Sequence, residues 1–391
     1  MPVATQTDVD LAVKHARKAF KTWSKVPFSE RAKLLLDFAD AIEAHREPLE
    51  RLLVLEQGKP VGLAKTEFDM ALQWRRAFST MEVMDEILDG NEERTVTQIF
   101  APLGNTIIIK PSPFTSYCDL KLGEIGMGIF PPGVLQVLSG GDDLGPMLTE
   151  HPDIDKPPKR VTLEVGGNDA AIICEDVDIA AIVPEISTLA FLNSGQNCML
   201  IKPLYHVEFA AALVAFSKGI KTGDGFAPDV PVGPVQNAMQ YGKVKGLYSE
   251  IEKCSWTQAL KGEVLSNSKG FFITPIPIID NPPDDSWIVV QEPLGLILPM
   301  LKWSDEEDAL RRANDTKAGL GVSVWSKDLD RAERMARCLS AGSVWINSHF
   351  DVAPTVPFGG HKWSGIGREW GMTGLQSYSN STSLWKWKKA M

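Results

Sequence analysis

From residue 105 onward, short β-branched and apolar runs alternate with helical patterns, and this alternation restricts the possible fold more than any other feature. Asn105-Thr106-Ile107-Ile108-Ile109-Lys110 is closed by Pro111, and a helical stretch over 119–128, a strand-like run over 133–138 and a Gly140-Gly141 turn opening a helix to Leu148 follow. The pattern resumes with a strand over 170–173, a helix over 179–192, a strand over 204–207 and a helix over 209–218. It continues with a helix over 241–252, a strand at 271–273, a helical pattern over 305–314, a strand over 322–325, a helix over 329–339 and a strand over 343–346. Strand and helix in this order predict parallel sheets with helices on their faces. Two α/β domains with one cleft between them are the economical arrangement. The first hundred residues are different. Leu11, Ala12, Ala16, Phe20 and Trp23 form one helical face behind a cap at Thr7 or Asp8. Ser29 caps a second helix with Leu35, Phe38, Ala39 and Ile42, and a third carries Ala64, Phe68, Leu72 and Phe78.

Two residues within this frame stand where chemistry is possible. Glu164 ends the strand-like Val161-Thr162-Leu163 and is followed at once by Gly166-Gly167, so a carboxylate is presented at a strand end beside open backbone. Cys198 ends the polar run Asn193-Ser194-Gly195-Gln196-Asn197 and precedes the apolar Met199-Leu200. A thiol on a polar loop against an apolar wall can meet a substrate while loop amides stabilise its thiolate.

Leu163-Glu164-x-Gly166-Gly167-Asn168-Asp169 and Phe191-x-Asn193-Ser194-Gly195-Gln196-x-Cys198 resemble, in that order, the two signature segments of the aldehyde dehydrogenase family. Further segments extend the resemblance: Glu56-x-Gly58-Lys59-Pro60, Ile108-Ile109-Lys110-Pro111-Ser112, Gln291-Glu292-Pro293-Leu294-Gly295, and the run from Pro357-Phe358-Gly359-Gly360 to Gly365-Ile366-Gly367-Arg368-Glu369. The resemblance implies an α/β fold with a Rossmann-like cofactor domain over 1–164, a catalytic domain over 165–360, and a C-terminal return and oligomerisation segment over 361–391. It implies oxidation of an aldehyde to an acid with NAD or NADP. Cys198 would be the nucleophile and Glu164 the base that activates water for the thioester. Lys110 would lie at the adenosine ribose, Glu292 at the nicotinamide ribose and Gly166 on the cofactor side. Asn347, and Phe350 as a tunnel wall, would be near the substrate.

The chain departs from the family pattern twice. The Pro-Trp-Asn-Phe-Pro-like segment, whose asparagine would be an oxyanion donor beside the Cys198 amide, is absent where Ala101-Pro102 runs into Leu103-Gly104-Asn105. The strand, Gly-Ser/Thr turn and helix that would receive the cofactor pyrophosphate are absent where His151-Pro152-Asp153-Ile154-Asp155 runs into Lys156-Pro157-Pro158. The acid usual after the lysine is Pro113, which leaves NAD against NADP open. The cofactor domain is therefore expected to be incomplete. This keeps open an impaired relative with a binding role or residual ester hydrolysis, and a chain that has lost two blocks of a longer natural protein.

A net charge of -10 with scattered Lys and Arg argues against a nucleic-acid or anionic-membrane partner. Five cysteines without any C-x-x-C suggest neither disulfides nor a metal site. No apolar run approaches the ~20 residues that span a bilayer, and a cytoplasmic location is the default expectation. Trp385-Lys386-Trp387-Lys388 alternates as a terminal strand at an oligomer edge would, and a homodimer or homotetramer is expected.

Overall fold

The computed structural model describes residues 3–102, 106–154, 159–206, 208–262, 269–273 and 277–389. The chain opens on helices α1 (Gln6–Trp23), α2 (Phe28–Ala44), α3 (Arg46–Gln57) and α4 (Val61–Phe78). Thr5 caps α1, not Thr7 or Asp8. Asp8 is the third helical residue, and its carboxylate accepts from the Thr5 amide at 2.8 Å to complete a capping box. The buried face of α1 is Val9, Ala12, Val13, Ala16 and Trp23, while Leu11 lies out of phase with that stripe and is exposed. Helix α2 starts at Phe28 behind Pro27 without a side-chain cap, so Ser29 is inside the helix.

Strands β1 (Glu86–Gly90) and β2 (Arg94–Pro102) form an antiparallel pair. Next come β3 (Ile107–Ile109), α5 (Tyr117–Met127), β4 (Leu135–Val137) and α6 (Leu144–Thr149). β3 and β4 pair in parallel, as the alternation predicts, and α1 packs Val9 and Val13 into one cluster with Ile108, Leu138 and Leu144. Among the described residues this sheet has two strands only. Residues 103–105 and 155–158, where the two departures from the family pattern fall, lie outside the described residues.

The rest of the chain forms β5 (Leu163–Glu164), β6 (Asp169–Ile173), α7 (Ile179–Phe191), β7 (Ile201–His206), α8 (Ala210–Ser217), α9 (Ala238–Lys253), β8 (Gln258–Leu260) and β9 (Ile278–Asp280). After these come α10 (Trp287–Val290), β10 (Leu298–Lys302), α11 (Glu306–Asn314), β11 (Gly321–Trp325), α12 (Leu329–Arg337), β12 (Ser343–Ile346), β13 (Gly365–Ile366), α13 (Gly371–Ser377) and β14 (Ser379–Trp387). A seven-stranded sheet runs β12-β11-β6-β7-β10-β9-β8, parallel except for β8 against β9. β6, β7 and β11 are buried along their whole length, and β7 is so despite carrying Lys202 and His206. Residues 271–273, read as a strand, form none. That side of the sheet is built by β8 and β9, which are three residues each and too short to show a period. β7 begins at Ile201, three residues earlier than expected, and Val207 lies outside the described residues.

β14 pairs antiparallel with β2 from Ser379↔Pro102 to Trp387↔Arg94. The expected terminal strand therefore closes on its own chain, with the Arg94 guanidinium 4.9 Å from the Trp385 ring and 6.0 Å from the Trp387 ring.

Candidate active site

In a parallel sheet all strands start at the same edge, so loops that precede neighbouring strands converge there. Gly166-Gly167 precedes β6, Cys198 precedes β7 and Glu292 precedes β10, and these three strands are adjacent. Residues 126 positions apart in sequence (Gly166 to Glu292) thus meet at the N-terminal ends of the strands. Open α/β sheets usually place ligands at the opposite, C-terminal edge.

Glu164 is held by the short antiparallel pair of β5 with β13, where it faces Gly365. This pair joins two of the motifs noted in the sequence, and the Glu164 Oε1 accepts from the Gly166 amide at 3.2 Å. Gly166 has φ of +88°, and a Cβ there would overlap Glu292 Oε2. Only glycine lets the backbone and this carboxylate pack so closely. A Cβ on Gly167 would likewise overlap the Cys198 carbonyl oxygen.

The thiol loop is wound by three successive residues of positive φ, Asn193 (50°), Ser194 (59°) and Gly195 (72°). Backbone of this kind persists only where the surroundings over-determine it. Ser194 Oγ donates to the Gly233 carbonyl at 2.8 Å, and Gln196 Oε1 accepts from the Gln236 amide at 3.0 Å. Asn197 Oδ1 accepts from the Met199 amide at 3.2 Å and from the Cys198 Sγ at 3.6 Å. Among the described residues the Cys198 N–H makes no hydrogen bond, so one donor beside the sulfur is free for a developing oxyanion. Burial pushes the Cys198 thiol far above its usual range, and the neighbouring Glu164, Asp169 and Glu292 carboxylates push the same way. The resting sulfur is therefore a protonated thiol. Asp169 is itself fully buried, and that burial raises its carboxyl well above the ordinary carboxylate range.

Glu292 is the second perturbed acid. Burial lifts it from the ordinary 4.5 to about 7, the Lys202 ammonium works against this and Glu164 adds to it. Its Oε1 is buried with no hydrogen-bond partner. The folded carboxyl holds a proton that the unfolded one has lost between about pH 4.5 and pH 7. Stability from this group is therefore complete below the lower value and is lost as pH rises through the upper one. Thermal unfolding of Glu292→Gln is expected to show a flatter fall in Tm between these two pH values than the unsubstituted protein shows.

Phe350 packs in one cluster with Cys198, Met199, Leu320 and Trp345, consistent with an apolar wall at the thiol. Asn347 is occupied otherwise. Its Nδ2 donates to the Ser326 carbonyl and its Oδ1 accepts from the Ser326 amide, both at 2.8 Å, so its amide closes the loop after β12. Lys110, at the end of β3, donates to the Pro111 carbonyl at 3.0 Å.

Two residues matter here that the sequence patterns do not single out. His349 Nε2 donates to the Met199 carbonyl at 2.9 Å, and its Nδ1 accepts from Ser323 Oγ at 2.9 Å. Burial lowers it to about 4, so it braces the residue after the thiol as a neutral ring. Lys202 is fully buried, and its Nζ donates to the Gly195 carbonyl at 3.0 Å and the Gly295 carbonyl at 3.2 Å. A lone cation within Met199-Leu200-Ile201-Lys202-Pro203-Leu204 was the available signal, since unpaired charge is rarely buried.

A dinucleotide meets two different environments. At the nicotinamide end the residues fit, because Glu292 Oε1 is a buried acceptor with no partner among the described residues. The turn and helix expected at the pyrophosphate are absent from the sequence at residues 155–158, and the nearby cofactor-half helix does not offer a substitute. The first-turn amides of α5, the helix between β3 and β4, are taken by the chain's own Glu56, whose Oε1 accepts from Tyr117 N and whose Oε2 accepts from Cys118 N at 3.1 Å.

The aldehyde dehydrogenase family model matches residues 1–101, 95–157 and 155–384. Its breaks fall at the same two junctions where segments are missing. The chain is 36% identical over 437 residues to the putative aldehyde dehydrogenase FUS7 of Gibberella fujikuroi, covering 99% of this chain and 92% of that protein. The alignment is longer than the chain, so the relative carries positions that the chain lacks. Aldehyde dehydrogenase [NAD(P)+] 1 of Saccharomyces cerevisiae is 33% identical, with 97% of this chain and 88% of that protein covered. Among solved structures, the NAD+ complex of an aldehyde dehydrogenase from Bacillus cereus superposes with a TM-score of 0.94 at 28% identity, over 99% of this chain and 90% of that one. On the fold, the site and these matches together, the chain belongs to the aldehyde dehydrogenase family, oxidoreductases that take NAD or NADP.

Proposed function

We propose that this chain oxidises an aldehyde to the carboxylic acid through covalent catalysis by Cys198. The observation that carries this reading is the convergence of Cys198, Glu164 and Glu292 on the Gly166-Gly167 backbone at one sheet edge. The thiol loses its proton to solvent and the sulfur adds to the aldehyde carbon. The new alkoxide accepts from the free Cys198 N–H. Bound NAD or NADP supplies a two-electron acceptor for the hydride of that carbon. Glu164, on a strand end and exposed, then deprotonates the water that attacks the thioester, and the acid departs as the sulfur is released. The balance is one aldehyde, one water and one oxidised nicotinamide in, and one carboxylate, one reduced nicotinamide and two protons out.

Within this reading residues 1–164 serve the cofactor, 165–360 the chemistry and 361–391 the return and assembly. The absent Gly-Ser/Thr turn, with only two strands in the β3–β4 sheet among the described residues and α5 amides already taken by Glu56, supports a second feature, weakened cofactor binding. The acid usual shortly after Lys110, which would choose NAD or NADP, is Pro113 here, so neither 2′-substituent is selected by a carboxylate there. Among the described residues no helix is long and apolar enough to cross a membrane.

The test is NADH and NADPH formation by the purified chain with aliphatic and aromatic aldehydes, beside Cys198→Ser. Turnover that requires high cofactor concentration and disappears in the variant is expected. Equal turnover in Cys198→Ser would overturn the reading.

A further inference from the structure

Gly195 lies three residues before Cys198, and Gly295 three residues after Glu292. A Cβ on Gly195 would overlap the Gly295 carbonyl oxygen, so the two loops touch backbone to backbone. Two carbonyl dipoles brought this close in a buried place repel one another unless a donor lies between them. Lys202, the second residue of β7, is that donor. Its ammonium, on a residue 1% exposed, donates to both carbonyls from one nitrogen. An ammonium has three N–H groups, so one remains after these two bonds. Electrostatically it faces Glu292, the one charged group acting on it among the described residues.

We propose that Lys202 is a positioning residue of the active site: its buried ammonium fastens the Cys198 loop to the Glu292 loop and is the counter-charge of the Glu292 carboxylate. The proposal rests on the reading of Cys198 and Glu292 given above, and goes beyond it by assigning a residue that neither touches substrate nor belongs to the motifs.

The surroundings give this arrangement its pH dependence. The titratable groups facing Glu292 are Lys202 from β7, Glu164 from β5, Asp169 from β6 and Cys198 from the thiol loop, and Lys202 alone brings positive charge. Lys202 is lowered to about 8 by burial, with Glu292 acting in the opposite sense. Near pH 7.5, between these values of about 7 and about 8, the lysine is mainly charged and the carboxylate mainly ionised. At about pH 5 the carboxyl is neutral and the attraction is gone.

A structural lysine that only satisfies two carbonyls would behave differently, and Lys202→Gln separates the two cases because a side-chain amide still offers two N–H donors but no charge. Unfolding is followed in the full chain for Lys202→Gln, Glu292→Gln and the double variant, at about pH 5 and about pH 7.5. The expected result is a larger Tm loss for Lys202→Gln at the higher pH, with this pH-dependent part absent in the Glu292→Gln background. The acid limb of turnover against pH should also move upward, by about one pH unit, since Glu292 without its counter-charge ionises later. Lys202→Arg, if it folds, should restore the limb. An equal Tm loss at both pH values and in both backgrounds, with the acid limb unmoved, would overturn the proposal. The unfolding measurements need no turnover, so they decide on Lys202 even if Cys198→Ser shows the oxidation reading to be wrong.

Discussion

Glu164→Gln is expected to lower aldehyde turnover by about 10²–10⁴-fold, the usual contribution of a positioned base, while making the Cys198 sulfur more reactive toward iodoacetamide. The opposite signs follow from one geometry. Glu164 is a hydrogen-bonding and electrostatic neighbour of the thiol and, as an anion, works against thiolate formation. Replacing it with a neutral amide removes that repulsion, brings the thiol's titration downward and leaves more thiolate at any alkaline pH. The same replacement takes away the base for thioester hydrolysis. Alkylation rates at about pH 9 and steady-state turnover, measured on one preparation, check both halves. Parallel losses in the two assays would mean that Glu164 only supports the fold.

The second large effect is on stability. Gly195→Ala should cost more than the about 1–3 kcal/mol of an ordinary strained backbone position, because two penalties coincide. Gly195 has φ of +72°, and its Cβ would collide with the carbonyl of Gly295. That oxygen is main chain already held by Lys202, so a rotamer change cannot relieve the collision. Urea unfolding should show a marked drop in midpoint, or the variant should not accumulate as folded protein. By comparison, a Cβ on Gly242 meets open space within α9. Gly242→Ala is the control that should be neutral or mildly stabilising.

Much of the site was legible because its residues stand in local patterns. Glu164 at a strand end before a glycine pair and Cys198 after a polar turn each announce themselves within eight residues. Their meeting with Glu292 is not local, since it depends on β6, β7 and β10 being neighbours and on all three starting at one edge. Strand adjacency is set by packing between distant segments, and no sequence period records it. β10 itself was not foreseen. Pro299 is its second residue, and proline ordinarily argues against an interior strand. β1 also escaped, because all five of its residues are exposed and no alternation of burial marks them.

The polar supports were the least legible part. Asn347 stands near the substrate by the family resemblance, and its amide bonds to Ser326 at both ends, a contact no sequence pattern records. His349 and Lys202, which brace the thiol loop, carry no motif. Their roles come from burial and from backbone carbonyls that accept from them, two of the three, at Gly295 and Met199, far away in sequence. The expectation of an incomplete cofactor half rests on the absent blocks at residues 103–105 and 155–158, which lie outside the described residues.

The most direct test of the central claim is to mix Glu164→Gln with an aldehyde and NAD+, quench, digest and weigh the peptide that contains Cys198. Slow thioester hydrolysis should leave that peptide heavier by the acyl group of the aldehyde used, and removing the aldehyde or substituting Cys198→Ser should remove the added mass. An unmodified Cys198 peptide while NADH is being formed, or acyl mass on a different residue, would contradict covalent catalysis by Cys198.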